Sequence, residues 1–447
     1  MKVAKGLVAV AVVILGGSAA LAAECEWIGG GENANWSNPD NWKDRTAPTA
    51  SDTVVIKQDA DIVIDKDYSA ESPAAVSMTV GTTDAQTYKV TFSGGHTIVF
   101  SKSEKVNYKT TYKKCTLEIT GAGTKAYFLN TSGDKNGFVN VNGFLRVLDG
   151  AYCEVPVANF MNVLVQGKDE NGVRSKLKWG KGQNSTVGTC ELIADGADIE
   201  WMSNGLCEFS FNSLSYDHLF VAHNGGTNDM TNVSIGNAAR PDIRAESGGV
   251  VLLPEFSPNS TGVPEFTIAD GEVSVKTFAP GVNNTTIDMR KMTLKFIGDN
   301  PRLVSRNDLG EGRASITLGK VNYASVDIYL EPTVAWANHP GLISQESTAA
   351  NWSAYATLSE NVNITIDVSK LPRTMHKGTM TFPLIHMDDK SYNGISGNPP
   401  VLPITLTGEN AENYTAVAVP KPNGNKRLYN IELTKLRTGT GLTVFVK

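Results

Sequence analysis

The chain lacks almost everything that marks a catalytic or metal centre in a sequence. Of 447 residues, only 6 are histidine and 5 are cysteine. There is no Gly-x-Ser-x-Gly elbow, no His-Glu-x-x-His pair and no glycine-rich phosphate loop. His96, His339, His376 and His386 stand alone. His218 and His223 are five residues apart, which on a strand places them on opposite faces and excludes a shared metal. The cysteines, Cys25, Cys115, Cys153, Cys190 and Cys207, contain no Cys-x-x-Cys pair, so zinc is not indicated. An odd number leaves at least one unpaired, expected to be Cys25. Export would allow the other four to oxidise, but their spacings form no disulfide framework, and they read as small buried hydrophobes.

Basic charge is also scarce. Residues 1–23 read as a secretory signal, with Lys2 and Lys5, an apolar run from Leu7 to Leu15 and a cleavage pattern at Ala20-Leu21-Ala22. Removing it takes two of the 40 basic residues and none of the 46 acidic ones, leaving a net charge of −8. That argues against nucleic acid and anionic membrane as partners. The apolar run is too short for an anchor, and no later stretch is apolar enough to span a bilayer. Glu24 before Cys25 argues against lipid attachment at that cysteine.

Helical periodicity is nearly absent; the exception is His339 to Glu360, where Ala349-Ala350 and Ala354 to Leu358 predict one short helix. Everything else alternates with a period of two. Leu117 and Ile119, Ile199 and Trp201, Met292, Leu294 and Phe296, and Val362, Ile364 and Ile366 each share one face of a strand. The strands end in Asp-Gly turns at Asp149-Gly150, Asp195-Gly196 and Asp270-Gly271, where glycine supplies positive φ. Asp149 to Asp195, Asp195 to Asp270 and Trp179 to Trp201 imply a drifting repeat in the low twenties, as in a β-solenoid. At about 23 residues per coil, residues 50–370 give roughly fourteen coils and a rod of roughly 65 Å. Tandem β-sandwiches are the alternative architecture.

Three of the seven tryptophans, Trp27, Trp36 and Trp42, fall directly behind the signal. Trp27, Gly29, Gly30, Trp36, Ser37, Asn41, Trp42, Pro48, Asp52, Val54 and Ile56 together resemble the opening of bacterial exported β-helix proteins, both autotransporter-passenger-like and pectin-lyase-like. The match covers residues 27–56. The segment Leu442 to Val446 resembles the closing strand of similar passengers, although no membrane barrel is expected from the proline-rich residues 371–447. The resemblance implies an all-β, single-stranded β-helix (solenoid) on a cell surface or outside the cell. Its expected parts are the signal (1–23), a Trp-rich cap (24–50), the solenoid (51–370) and a C-terminal β-rich cap (371–447). Trp27, Gly29, Gly30, Trp36, Asn41 and Trp42 are the expected structural cap, because a solenoid end exposes apolar side chains and strand edges. The alternative role for the tryptophans is a sugar-stacking platform.

No catalytic residue, metal ligand or cofactor is assigned. Asp134-Lys-Asn136-Gly137 and Asn224-Gly-Gly-Thr-Asn228-Asp229 are rich in oxygen ligands, but turn formation explains them without calcium. Asp149 and Asp195 fall in corresponding turns and read as turn formers. Trp179 and Trp201 share strand parity with Leu177 and Ile199, which favours the core over an external aromatic ladder. The expectation is an exported, non-enzymatic structural or adhesive protein. A polysaccharide lyase or glycoside hydrolase, and a glycan-binding module, are the alternatives, with a polysaccharide or cell-surface glycan as the partner class.

Overall fold

Strict alternation makes each strand apolar on one face only, and that face has to find cover. The computed structural model describes residues 23–81, 87–101, 115–129, 139–181, 191–202, 217–231, 240–256, 264–278, 290–306, 315–318, 324–346, 355–358, 361–372, 378–387, 402–423 and 426–436. These residues are almost wholly β-strand, interrupted by single-turn 3₁₀ segments. No helix among them is long and apolar enough to cross a membrane.

Two long parallel sheets run through the chain. Sheet I starts at Ala60–Val63, ends at Ile404–Thr407 and contains 13 strands. Sheet II runs in parallel from Thr97–Phe100 to Gly378–Met387. It then closes with an antiparallel pair, Lys426–Lys435 and Tyr414–Asn423. A short third sheet joins Glu24–Trp27, Thr53–Ile56 and Ser77–Val80. The chain visits these sheets in turn: Ser77–Val80 in the short sheet, Lys89–Ser93 in sheet I and Thr97–Phe100 in sheet II. The result is a solenoid-like all-β fold. Tandem antiparallel sandwiches are incompatible with this parallel pairing.

Register explains why the stack holds. In sheet I an unbroken inward column runs from Val90 through Leu117, Leu145, Val163, Leu192, Phe220, Ile243, Phe266, Leu294 and Ile328 to Ile364. All of these are buried, and each stabilises the stack by about 1.5–3 kcal/mol relative to exposure. Sheet II answers with Cys153, Leu177 and Ile199, followed by the buried Asn228 and then Val251. Trp179 lies directly under Trp201 with ring centroids 4.5 Å apart. A one-residue slip in any strand would turn its apolar set to solvent.

The repeat length is looser than the sequence implies. Ala222 pairs with Ala245 and Ala245 with Ile268, two steps of 23 residues. Leu145 pairs with Val163, only 18 residues on, whereas Leu330 pairs with Ile366, 36 residues on. The core constrains only the stacked strand faces. Lengthening a connection costs little, since each doubling of a loop adds about 0.6 kcal/mol. Parallel pairing also crosses the expected cap boundaries, beginning at Glu24 and continuing to Thr407. The expected helix is corrected: Tyr355–Leu358 is a strand paired with Ser315–Leu318, and Ile343–Glu346 is a strand on Arg302–Arg306. Ala349 and Ala350 lie outside the described residues. Backbone pairing with neighbouring strands overrides the local alanine preference for helix.

The corner between sheets I and II is built by one recurring turn. Asp149, Asn224, Ser247 and Asp270 all take left-handed φ, between 50° and 55°. Asp195 sits one position earlier, as the last residue of its strand, and Gly196 takes the left-handed place. Asp149 and Asp195 therefore recur in corresponding turns but not at equivalent positions. After the turn the chain passes close under the previous rung. A Cβ on Gly249 would lie 2.0 Å from the Ala222 carbonyl oxygen. We expect Gly249→Ala to lower the unfolding free energy by about 1–3 kcal/mol, as overpacking does. Denaturant titration of wild type and variant measures this.

Candidate functional surface

The N-terminal tryptophans face inward. Trp36 and Trp42 are fully buried and Trp27 nearly so. Trp42 meets Trp27 and Trp36 edge-on at 5.1 and 5.0 Å, and its Nε1 donates to the Trp36 carbonyl at 2.9 Å. Trp36 continues onto Phe92 and Phe100, inward rings of sheets I and II. Asn41 is buried and organises the loop: its Oδ1 accepts from Gly31 N at 2.9 Å, and its Nδ2 donates to the carbonyls of Asn33 and Asn35 at 2.8 and 2.9 Å. Gly29 has φ 62°, and a Cβ on Gly30 would crowd the Asp40 carbonyl at 3.1 Å. The cluster presents no aromatic face for a sugar. Replacing Asn41 by Ala strips three hydrogen bonds and is expected to cost about 3 kcal/mol. Thermal unfolding at matched concentration reads it.

The corner carboxylates are engaged in joining rungs. Asp149 accepts from Thr120 Oγ1 at 3.0 Å. Asp195 accepts from Gln166 Nε2 and Asn224 Nδ2, both at 2.7 Å. Asp270 accepts the backbone N–H groups of Asp299 and Asn300 from the next rung. Asp367 takes the Tyr329 hydroxyl at 2.9 Å, and the Ser369 hydroxyl and N–H, with this phenol, hold its carboxyl below the usual range against the opposing effect of burial. Near the N-terminus Asp52 behaves alike: burial pushes its pKa up, but hydrogen bonds from Thr49 and Ala23 N bring it below the usual range.

The histidines divide as parity requires. His218 is buried inside with Phe220, and His223 points outward. His223 Nδ1 lies 3.4 Å from Asp195, but Asn224 Nδ2 approaches both groups, at 2.9 Å from Nδ1 and 2.7 Å from the carboxylate. Asn224 thus donates where a catalytic imidazole would itself donate to its carboxylate. The loop at Asn224 is not a calcium cradle, because Asn228 is fully buried while Asp229 is on the outward face. The Asp134–Gly137 loop, Cys190 and Cys207 lie outside the described residues. Cys25, Cys115 and Cys153 are free thiols, the last two buried, and burial raises the pKa of all three. Among the described residues no three His, Cys, Asp or Glu side chains converge as a metal site.

One strip of outward polar chemistry lies on sheet II, where Tyr127, Glu154, Lys178 and Glu200 form one in-register column. Beside it, Tyr152 donates to Glu154 at 2.6 Å and its ring centroid lies 5.5 Å from that of Tyr127. Burial, and then this carboxylate, push the Tyr152 phenol well up. Lys176 and Lys178 both reach Glu200, the latter at 3.8 Å, and Arg174 pairs with Asp198 at 3.0 Å. Glu154 and Glu200 are two rungs apart, about 9.6 Å along the stack. No motif in the sequence marks this column. Its signal was the shared parity of Tyr152 with Glu154, Lys176 with Lys178 and Asp198 with Glu200, aligned by the Trp179–Trp201 spacing. No protein-family model, curated protein or solved structure matches the chain. Because Glu200 and its lysines are each about one-third exposed, Glu200→Gln is expected to change stability by less than about 1 kcal/mol. Chemical denaturation against wild type checks this.

Proposed function

We propose that the chain is an exported β-helix with a structural or adhesive role on a cell surface or outside the cell. The observation that carries the reading is the commitment of the corner carboxylates. Asp149, Asp195, Asp270 and Asp367 accept hydrogen bonds from neighbouring rungs or turns rather than standing free as an acid and a base. The three-sheet itinerary of the first rungs supports the β-helix description, and the inward Trp27–Trp36–Trp42 cluster supports a lid over the open end. The apolar start of the sequence supports export.

A second reading rests on the sheet II column. Tyr127, Tyr152, Glu154, Lys178 and Glu200 offer aromatic faces and hydrogen-bonding groups along one outward strip, which suits an extended glycan. Burial of Trp179 and Trp201 removes the external tryptophan ladder that this reading first suggested. On the leading reading the full mature chain turns over no polysaccharide in a panel of neutral and acidic glycans. A rate on any of them that disappears in Glu154→Gln or Glu200→Gln, variants that should still fold, would overturn it in favour of an enzyme.

A further inference from the structure

The 3₁₀ turn Val334–Asn338 and its C-cap His339 lead the chain into a rung of sheet II. Trp336 anchors the turn: it is fully buried, donates from Nε1 to the Gly298 carbonyl at 2.6 Å, and packs edge-on against Phe382 at 5.2 Å. The next residues complete a rung. Leu303 N donates to Leu342 O at 2.8 Å, and Leu342 N donates to Pro383 O at 3.1 Å. His339 holds this linker in shape. It is only 6% exposed, and its Nδ1 accepts the Gly341 N–H at 3.0 Å. Gly341 lies so close to the next strand that a Cβ there would meet the His386 Cβ at 2.6 Å.

We propose that His339 is an acid-sensitive latch, whose protonation releases the 339–343 linker and loosens the C-terminal rungs of sheet II. The chemistry is local. An imidazole nitrogen that accepts from a backbone N–H has its lone pair in use, and a protonated ring has two donors and no acceptor. Protonation at Nδ1 therefore turns the Gly341 contact into donor against donor. The new cation would also lie in the field of Arg302, whose buried Nε lacks a hydrogen-bond partner. Arg302 is already balanced by Glu272 at 3.3 Å and by Glu346, and Glu272 also meets Arg306 at 4.0 Å. From the strand on the other side the facing titratable group is His386. Burial first, and Arg302 second, push the His339 pKa down to about 4, against a hydrogen bond to the Pro301 backbone that favours the proton. The neutral ring's contribution is complete above the ordinary histidine value near 6.5 and is lost as pH falls towards 4. The carboxylates Asp52 and Asp367, also depressed, act below the ordinary carboxylate range near 4 and so in a lower window.

Hydrogen–deuterium exchange of the full mature chain at pH 7.0, 5.5 and 4.5, corrected for intrinsic rates, tests the latch. Peptides covering 339–346 should lose protection at least tenfold from pH 7.0 to 4.5, while peptides covering 240–256 and 264–278 keep theirs. His339→Asn should abolish the pH dependence of the 339–346 peptides, and His386→Asn should leave it in place. Unchanged protection at 339–346 in wild type overturns the proposal, as does an equal loss across all rungs. A loss that persists in His339→Asn also overturns it. If that variant does not fold, the wild-type contrast between segments decides alone.

Discussion

The inward column of sheet I is the constraint on which the rest depends. Each strand is too short and too one-sided to be stable alone, and it gains cover only by lying in register on its neighbours. Leu192 has to sit on Val163 and under Phe220. Once that is satisfied, the outward side chains are forced into matching columns. The salt bridges of Lys89 and Arg146 with Glu118, at 2.8 and 3.9 Å, and of Lys295 with Glu265, at 2.6 Å, follow from the interior register. They are consequences of stacking, and the one-third-exposed Lys295–Glu265 pair contributes only about 0–1 kcal/mol.

The same constraint explains the ends and corners. Parallel stacking would leave an open apolar face at each end, and the first and last described residues are arranged differently. At the N-terminus three tryptophans turn inward beneath a loop organised by Asn41. At the C-terminus the parallel order of sheet II stops at an antiparallel hairpin, Tyr414–Asn423 with Lys426–Lys435. Its outer strand carries Pro420 and Pro422, which lack the N–H that further pairing would use. At the corners, left-handed residues and close-approach glycines bring the chain from one sheet to the next, and short acidic side chains satisfy donors from adjacent rungs.

Much of this was legible in the sequence. Parity alone placed Leu117, Ile199, Trp201, Met292, Phe296 and Ile364 inside, and separated His218 from His223. The 22-residue spacing of Trp179 and Trp201 marked one true rung. What was not legible follows from the freedom of the connections. With paired residues on successive rungs from 18 (Leu145 to Val163) to 42 (Ile343 to Ile385) positions apart, no fixed period aligns the turns, so Asp195 looked equivalent to Asp149 when it lies one position earlier. Tyr355–Leu358 looked helical because its alanine-rich neighbourhood carries a local preference, whereas its pairing with Ser315–Leu318 is a long-range fact. The Glu154–Lys178–Glu200 column was hidden for the same reason: its members become neighbours only when the register is known. His339 carried no motif at all, and its role as a buried acceptor exists only in the folded linker.

The central claim is that the inward column of sheet I keeps its register from Val90 to Ile364, and a distance along the stack tests it most directly. Arg146 and Thr365 lie in the same outward column of sheet I, eight rungs apart. Spin labels at these two positions should give a narrow distance distribution by pulsed electron paramagnetic resonance, centred near about 38 Å from the usual strand spacing. A broad distribution, or a distance below about 25 Å as folded-back sandwiches would give, would contradict the account.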